Sequence, residues 1–254
     1  MGRAAFAALI PGYGVPRDLF KDVNYRAYLS LCFNALFEKY RDARGTIVLS
    51  GGATDCFRPY RRTEAHEMRR WFQHQKALTE KIIKKELRWK LVEDRKALTT
   101  VENILYFGRR TASRRANVII FVEQTRANKM KIFSKQIFKK RRVEVLPIDF
   151  DISSNRYRTQ AALRREKTDL KISLHAIHDP SVLKFRRKIA KEKIGLLRQY
   201  GPTEGYRRLP KILDQLEKKY ANYASRKRAH QTLASRKNTG STRTVSPIQR
   251  TKIH

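Results

Sequence analysis

Short apolar runs bounded by turn residues alternate along this chain with longer segments of helical period. That alternation constrains the fold more than any other feature. Ala4–Ile10, Thr46–Leu49, Trp89–Val92, Asn117–Val122 and Arg142–Leu146 read as strands. Between the first two, Tyr28, Leu29, Cys32, Phe33, Leu36 and Phe37 recur at three- and four-residue spacing, the stripe of an amphipathic helix over Tyr25–Tyr40. Thr63–Thr79, Val101–Arg109 and Arg126–Phe138 are the other helical segments, with Thr63 a fitting N-cap ahead of Glu64 and Glu67. Strands and helices in this order specify a parallel sheet of about five strands with right-handed crossovers and helices on both faces. The expected fold is a Rossmann-like, doubly wound α/β domain over residues 1–151.

After Asp151 the character changes. Thr159–Ile177, Ser181–Tyr200 and Leu209–Tyr223 are charged helical segments, broken at Pro180 and at Gly201-Pro202. Residues 152–223 therefore read as a basic helical extension. Residues 224–254 contain no acid and little apolar content, which predicts a disordered basic tail. The whole chain carries 58 Lys+Arg against 23 Asp+Glu, a formal charge of +35. Such a field attracts polyanions, so nonspecific nucleic acid or an anionic membrane surface is an expected partner of the C-terminal region. No RNA-binding or zinc-knuckle signature accompanies the basic runs.

Two cysteines, Cys32 and Cys56, do not make a disulfide framework, and a reducing compartment fits them. The apolar run from Ala4 to Ile10 is too short to span a bilayer and makes a poor secretory signal. No transmembrane segment is expected, and the expected location is cytoplasmic. No Cys/His cluster has metal-ligand spacing, and the His175-Ala176-Ile177-His178-Asp179 stretch lacks a partner cluster, so no metal is assigned.

In an open parallel sheet, ligands bind beyond the carboxyl ends of the strands. Four segments converge there: Pro11-Gly12-Tyr13-Gly14, Ser50-Gly51-Gly52, the stretch from Glu93 to Asn103, and Glu123-Gln124-Thr125-Arg126. Glycines let backbone N–H groups face an anion without an intervening Cβ. Adjacent glycines are also what a tight turn uses, and a threonine ahead of Glu102-Asn103 is also what a helix cap uses. Neither GxGxxG nor GxxxxGK[ST] is present, so neither standard phosphate loop is supported.

The ordered set Gly12 and Gly14, Ser50-Gly51-Gly52, Glu64-Ala65-His66-Glu67-Met68, Glu93 and Thr100-Val101-Glu102-Asn103 resembles the SanA/YdcF/ElyC-type family over roughly residues 4–150. Two features depart from that family's pattern. Lys96 or Ala97 stands in the neighbourhood of its serine, the gap to Thr100 is one residue longer than in that pattern, and Arg126-Ala127-Asn128-Lys129 replaces its His-x-x-Arg segment. The resemblance implies a Rossmann-like fold, a small polar or nucleotide-like ligand such as S-adenosylmethionine, and a link to bacterial envelope biogenesis. Several relatives carry an N-terminal membrane helix, so this chain resembles the soluble branch.

The candidate ligand-binding residues are therefore Gly12, Gly14, Ser50, Gly51, Gly52, Glu64, Glu93, Thr100, Glu102, Asn103 and Arg126. Gly12, Ser50, Gly51 and Gly52 would cradle an anionic or carboxylate-bearing ligand through backbone N–H groups. Glu93 and Glu102 would take hydroxyl or amine groups, Thr100 and Asn103 would orient them, and Arg126 would clamp charge. A guanidinium stays protonated, so the loss of a histidine there favours binding over catalysis.

Overall fold

The computed structural model describes residues 5–111, 116–139, 141–149 and 166–239. The chain divides into two compact units, Met1–Pro210 and Lys211–His254. In order, the elements are β1 (Phe6–Pro11), α1 (Val23–Tyr40), β2 (Gly45–Ser50), α2 (Glu64–Ile83), β3 (Trp89–Asp94) and α3 (Thr100–Arg110). Then follow β4 (Asn117–Glu123), a 3-10 turn (Gln124–Arg126), α4 (Ala127–Phe138), β5 (Val143–Ile148), α5 (Glu166–His178) and α6 (Pro180–Thr239).

The five strands form one sheet in the order β3-β2-β1-β4-β5, and every neighbouring pair is parallel. The fold is thus the Rossmann-like α/β arrangement that the alternation specifies. The chain builds outward from β1 in one direction to β3, then returns to the other side of β1 for β4 and β5. The direction reverses between β1 and β4, which is the switch point where such sheets hold ligands.

All of β1 is buried, as its position in the middle of a sheet covered on both faces requires. On one face Phe6, Ala8, Ile10, Ile47, Leu49, Ile119 and Phe121 meet the stripe of α1 and the Met68, Trp71 and Phe72 side of α2. Phe33 sits within this layer, with ring centroids of Trp89 at 5.4 Å, Phe72 at 5.8 Å and Trp71 at 6.4 Å. The helices start where polar side chains accept their orphan N–H groups. Asp22 accepts from the Tyr25 N–H, Thr63 from His66 and Thr99 from Glu102.

Three boundaries differ from expectation for physical reasons. β3 continues past Val92 to Asp94, because Asp94 is paired in register with Ser50 and has a partner there. β5 runs through Pro147, which a last strand of a sheet tolerates because it has an edge where the missing N–H is not needed. Residues 224–239, expected to lack structure, continue the helix α6. Their composition is poor in apolar residues but free of Gly and Pro until Gly240, and its Ala, Arg, Lys, Leu and Gln favour helix. Residues 240–254 of the expected tail, and residues 159–165 of the first expected extension helix, lie outside the described residues. Pro180 opens α6, and Gly201, at φ 76° and ψ 166°, is non-helical within it. The first unit contains the sheet together with α5 and the first part of α6. No helix among the described residues is long and apolar enough to cross a membrane.

Phe33→Ala should lower the unfolding free energy by about 3–5 kcal/mol, because the ring leaves a cavity among aromatic neighbours. Leu31→Ala, at a position that is 44% exposed, should change it by no more than about 0.5 kcal/mol. Urea unfolding of the two variants distinguishes them, and equal effects would contradict this placement of the core.

Candidate functional site: the carboxyl edge of the sheet

The glycines at this edge do not present free N–H groups. The Gly12 N–H donates to the Ser50 carbonyl at 2.8 Å, Gly51 to Asp94 at 2.9 Å and Gly52 to Ala97 at 2.6 Å. The expectation that these groups cradle an anion is therefore corrected: each already closes a bond that ties the loop after β2 to its neighbours. The first N–H groups of α2 are used as well, Glu64 donating to the Gly52 carbonyl at 3.1 Å and Ala65 to that of Gly51 at 3.0 Å.

Glu64 explains the glycines. A Cβ at Gly12 would lie 2.1 Å from Glu64 Oε2, and one at Gly51 would lie 2.3 Å from the same atom. The first side chain of α2 thus fills the space over two strand ends, and only residues without a side chain leave room for it. The Thr54 hydroxyl donates to Glu64 Oε1. Gly14, whose φ of 96° needs glycine, supplies a backbone N–H to the same carboxyl group. Burial pushes the Glu64 carboxyl up to about 7, opposed by these two donors and by the charges of Lys193 and Arg126.

Arg126 follows β4 and Lys193 comes from α6. The Arg126 guanidinium lies 5.8 Å from the Tyr13 ring centroid, and its Nε is 3.9 Å from Glu123 Oε2. That Nε is buried and has no hydrogen-bond partner among the described residues. Tyr13 is fixed in turn, its N–H donating to the Tyr25 hydroxyl at 3.0 Å and its own hydroxyl accepting from the Glu123 N–H at 2.6 Å. Burial pushes the Lys193 amine down, and Arg126 adds to the effect.

The first part of α6 is tied along its length to α5, to α3 and to the loop after β2. Arg186 donates to Asp169 at 2.6 Å, Arg187 to Glu102 at 2.6 Å, and Arg198 to the carbonyls of Asp55 at 2.9 Å and Ala53 at 3.0 Å. Lys129 also pairs with Asp169, and these two cations hold that carboxyl well below its usual range although burial alone would raise it. The bidentate Asp55–Arg62 pair, with Arg62 also donating to the Pro16 and Arg17 carbonyls, joins the loops after β1 and β2.

A second cluster lies at the ends of β2 and β3. Ser50 Oγ is 2.9 Å from Asp94 Oδ2 and 3.0 Å from the Asn103 side-chain amide. Both partners are acceptors, Asp94 through Oδ2 and Asn103 through its amide Oδ1, so the single Ser50 proton is donated to one of them at a time. All three residues are buried. Sequence reasoning missed Asp94 and named Glu93, whose side chain alternates to the other side of the strand. Glu93 pairs there with Arg95, with Arg69 at 3.3 Å and with His66 at 3.4 Å. The extra residue between Glu93 and Thr100 was the available signal, since counting from Asp94 removes it.

Glu102 is fully engaged in holding α3 and α6. It accepts from the Leu98 N–H at 2.8 Å, the Thr99 hydroxyl at 3.3 Å, Arg187 at 2.6 Å and Tyr106 at 3.2 Å. Thr100 is the first residue of α3 and half-buried, and the capping hydroxyl is that of Thr99. The structure therefore brings together Gly12, Gly14, Gly51, Glu64 and Arg126, and separately Ser50 with Asn103. Gly52 belongs to the loop framework, where a Cβ would meet Leu98 Cδ2 at 2.6 Å. Glu93, Thr100 and Glu102 stand at neither group. Among the described residues, no group of three His, Cys, Asp or Glu is placed to hold a metal ion. Comparison with protein-family models, with curated proteins and with solved structures finds no match to this chain.

Because the folded Glu64 pKa lies above its unfolded value of 4.5, its stabilising share is complete below pH 4.5 and is lost as pH rises through about 7. Glu64→Gln cannot lose it. The stability difference between variant and wild type should shift in the variant's favour by about 3 kcal/mol between pH 4 and pH 8. Urea unfolding across that range checks this, and a difference independent of pH would refute it.

Proposed function

We propose that the α/β unit binds a small polar ligand at the crevice between the ends of β1 and β4. The ligand carries an anionic group for Arg126 and Lys193 and a hydroxyl or amine for the Glu64 carboxyl. One observation supports this above the others: a buried carboxyl group, pushed up by burial to about 7, is held at the switch point beside Arg126 from the turn after β4 and Lys193 from α6. A nucleotide or S-adenosylmethionine has the required groups, each offering ribose hydroxyls beside an anionic phosphate or carboxylate.

Recognition in this reading runs through side chains, because the glycine N–H groups of the edge are bonded internally. Arg126 supplies fixed positive charge, and Glu64 exchanges a proton near neutral pH. The reading assigns binding and no reaction. A buried pair that only fastens α6 to the sheet would use the same residues, so the deciding test is a ligand-dependent shift and not the stability of the unliganded protein.

A thermal-shift screen of nucleotides and S-adenosylmethionine should give at least one compound that raises the midpoint. A compound at about one hundred times its Kd adds roughly 2.7 kcal/mol. That shift should fall at least tenfold in apparent affinity in Lys193→Met and in Arg126→Gln, while Lys81→Met, on the far end of α2, keeps it. No shift with any compound, or a shift that persists in both site variants, would overturn the reading.

A further inference from the structure

From residue 218 onward the chain has no aspartate or glutamate, yet residues 218–239 alone hold seven lysines and arginines. In the α/β unit some cations meet carboxylates, as Arg62 does with Asp55 and Arg187 with Glu102. Within 218–239 the sequence itself offers no carboxylate. The backbone of this stretch is helical to Thr239. At 1.5 Å per residue it spaces its charges along about 33 Å, in groups at 218–219, 226–228 and 236–237 about 12–15 Å apart.

An extended rod of like charge, on a chain whose net charge is +35, repels itself until counterions or a polyanion gather on it. Two polyanionic surfaces are common. A lipid headgroup surface is best held by a helix that also has an apolar face to insert. Leu233 is the only large aliphatic residue between 218 and 239, so that contribution is missing. Nucleic acid needs no insertion. It offers about one negative charge per 1.7 Å of duplex axis, and binding is driven by release of its condensed counterions.

We propose that the helical stretch 218–239 is a nucleic-acid-binding arm that contacts the phosphodiester backbone without base preference. The arm lies in the second unit and is independent of the ligand reading for the α/β unit, so either can fail alone.

The test uses the full chain and a variant with Arg226, Lys227, Arg228, Arg236 and Lys237 all changed to Gln, a residue that keeps helix propensity. Fluorescence anisotropy with a single-stranded RNA and a DNA duplex of about 20 residues, over roughly 50–200 mM salt, gives the salt dependence of affinity. The wild type should bind both. Removing five cations should flatten the slope of log K against log salt by about 3.5 on the single strand and about 4.5 on the duplex. Changing the three arginines to Lys should leave the slope unaltered, which separates lost charge from lost folding. Three results would overturn the proposal: no binding by wild type at the lowest salt, an unchanged slope in the Gln variant, or loss of binding to phosphatidylserine vesicles in that variant while RNA binding persists.

Discussion

The Glu64 carboxyl group lies in the gap left by two absent side chains, and its burial has consequences for every segment around it. A carboxylate withdrawn from water costs several kcal/mol unless donors and opposite charge replace the solvent. Here the Thr54 hydroxyl and the Gly14 N–H supply the donors, and Arg126 and Lys193 supply the charge. These come from the loop after β2, the loop after β1, the turn after β4 and the helix α6. One carboxyl group thus couples four segments that are far apart in the chain. Burial still raises the carboxyl to about 7, so these donors and charges offset the lost solvent only in part.

That requirement accounts for the first part of α6 belonging to the sheet's own unit. Arg186, Arg187 and Arg198 each end on a carboxylate or on carbonyl oxygens of the edge. The excess of cations in the sequence therefore contains two populations with different roles. Arg186, Arg187 and Arg198 are matched within the fold and report nothing about a partner. Those beyond residue 217 have no acid in their own segment, so their neutralisation has to come from elsewhere. Net charge alone cannot separate the populations, whereas the position of each charge relative to an acid can.

Much of the architecture was legible because it depends on local pattern. Strand–helix alternation specified the parallel sheet, and Thr63 before Glu64 marked the start of α2. What was not legible depends on register between distant segments. Asp94 looked like loop because apolar content ends at Val92, but a strand can continue through a polar residue when its neighbour offers a hydroxyl, as Ser50 does. Lys193 is one lysine among many in a basic helix, and only its place on the face toward Arg126 and Glu64 distinguishes it. The helix through Thr239 was missed for the opposite reason. Low apolar content was read as disorder, whereas a run without Gly or Pro has enough backbone preference to remain helical.

Ser-Gly-Gly after a strand suggests an anion close to the backbone, and there is one: it is the chain's own glutamate. The consequence for ligand recognition is specific. With the loop N–H groups committed to carbonyls, an anion in the proposed ligand reading would be met by the side chains of Arg126 and Lys193, beside a carboxyl group that is itself ionisable. Negative charge placed there disfavours the ionised form of Glu64 and raises its pKa further. Anion binding and protonation of Glu64 then favour one another, and the protonated carboxyl becomes a donor as well as an acceptor. In the proposed ligand reading, the ionised Glu64 would accept from a hydroxyl or amine, and the protonated form would tolerate a nearby anionic group.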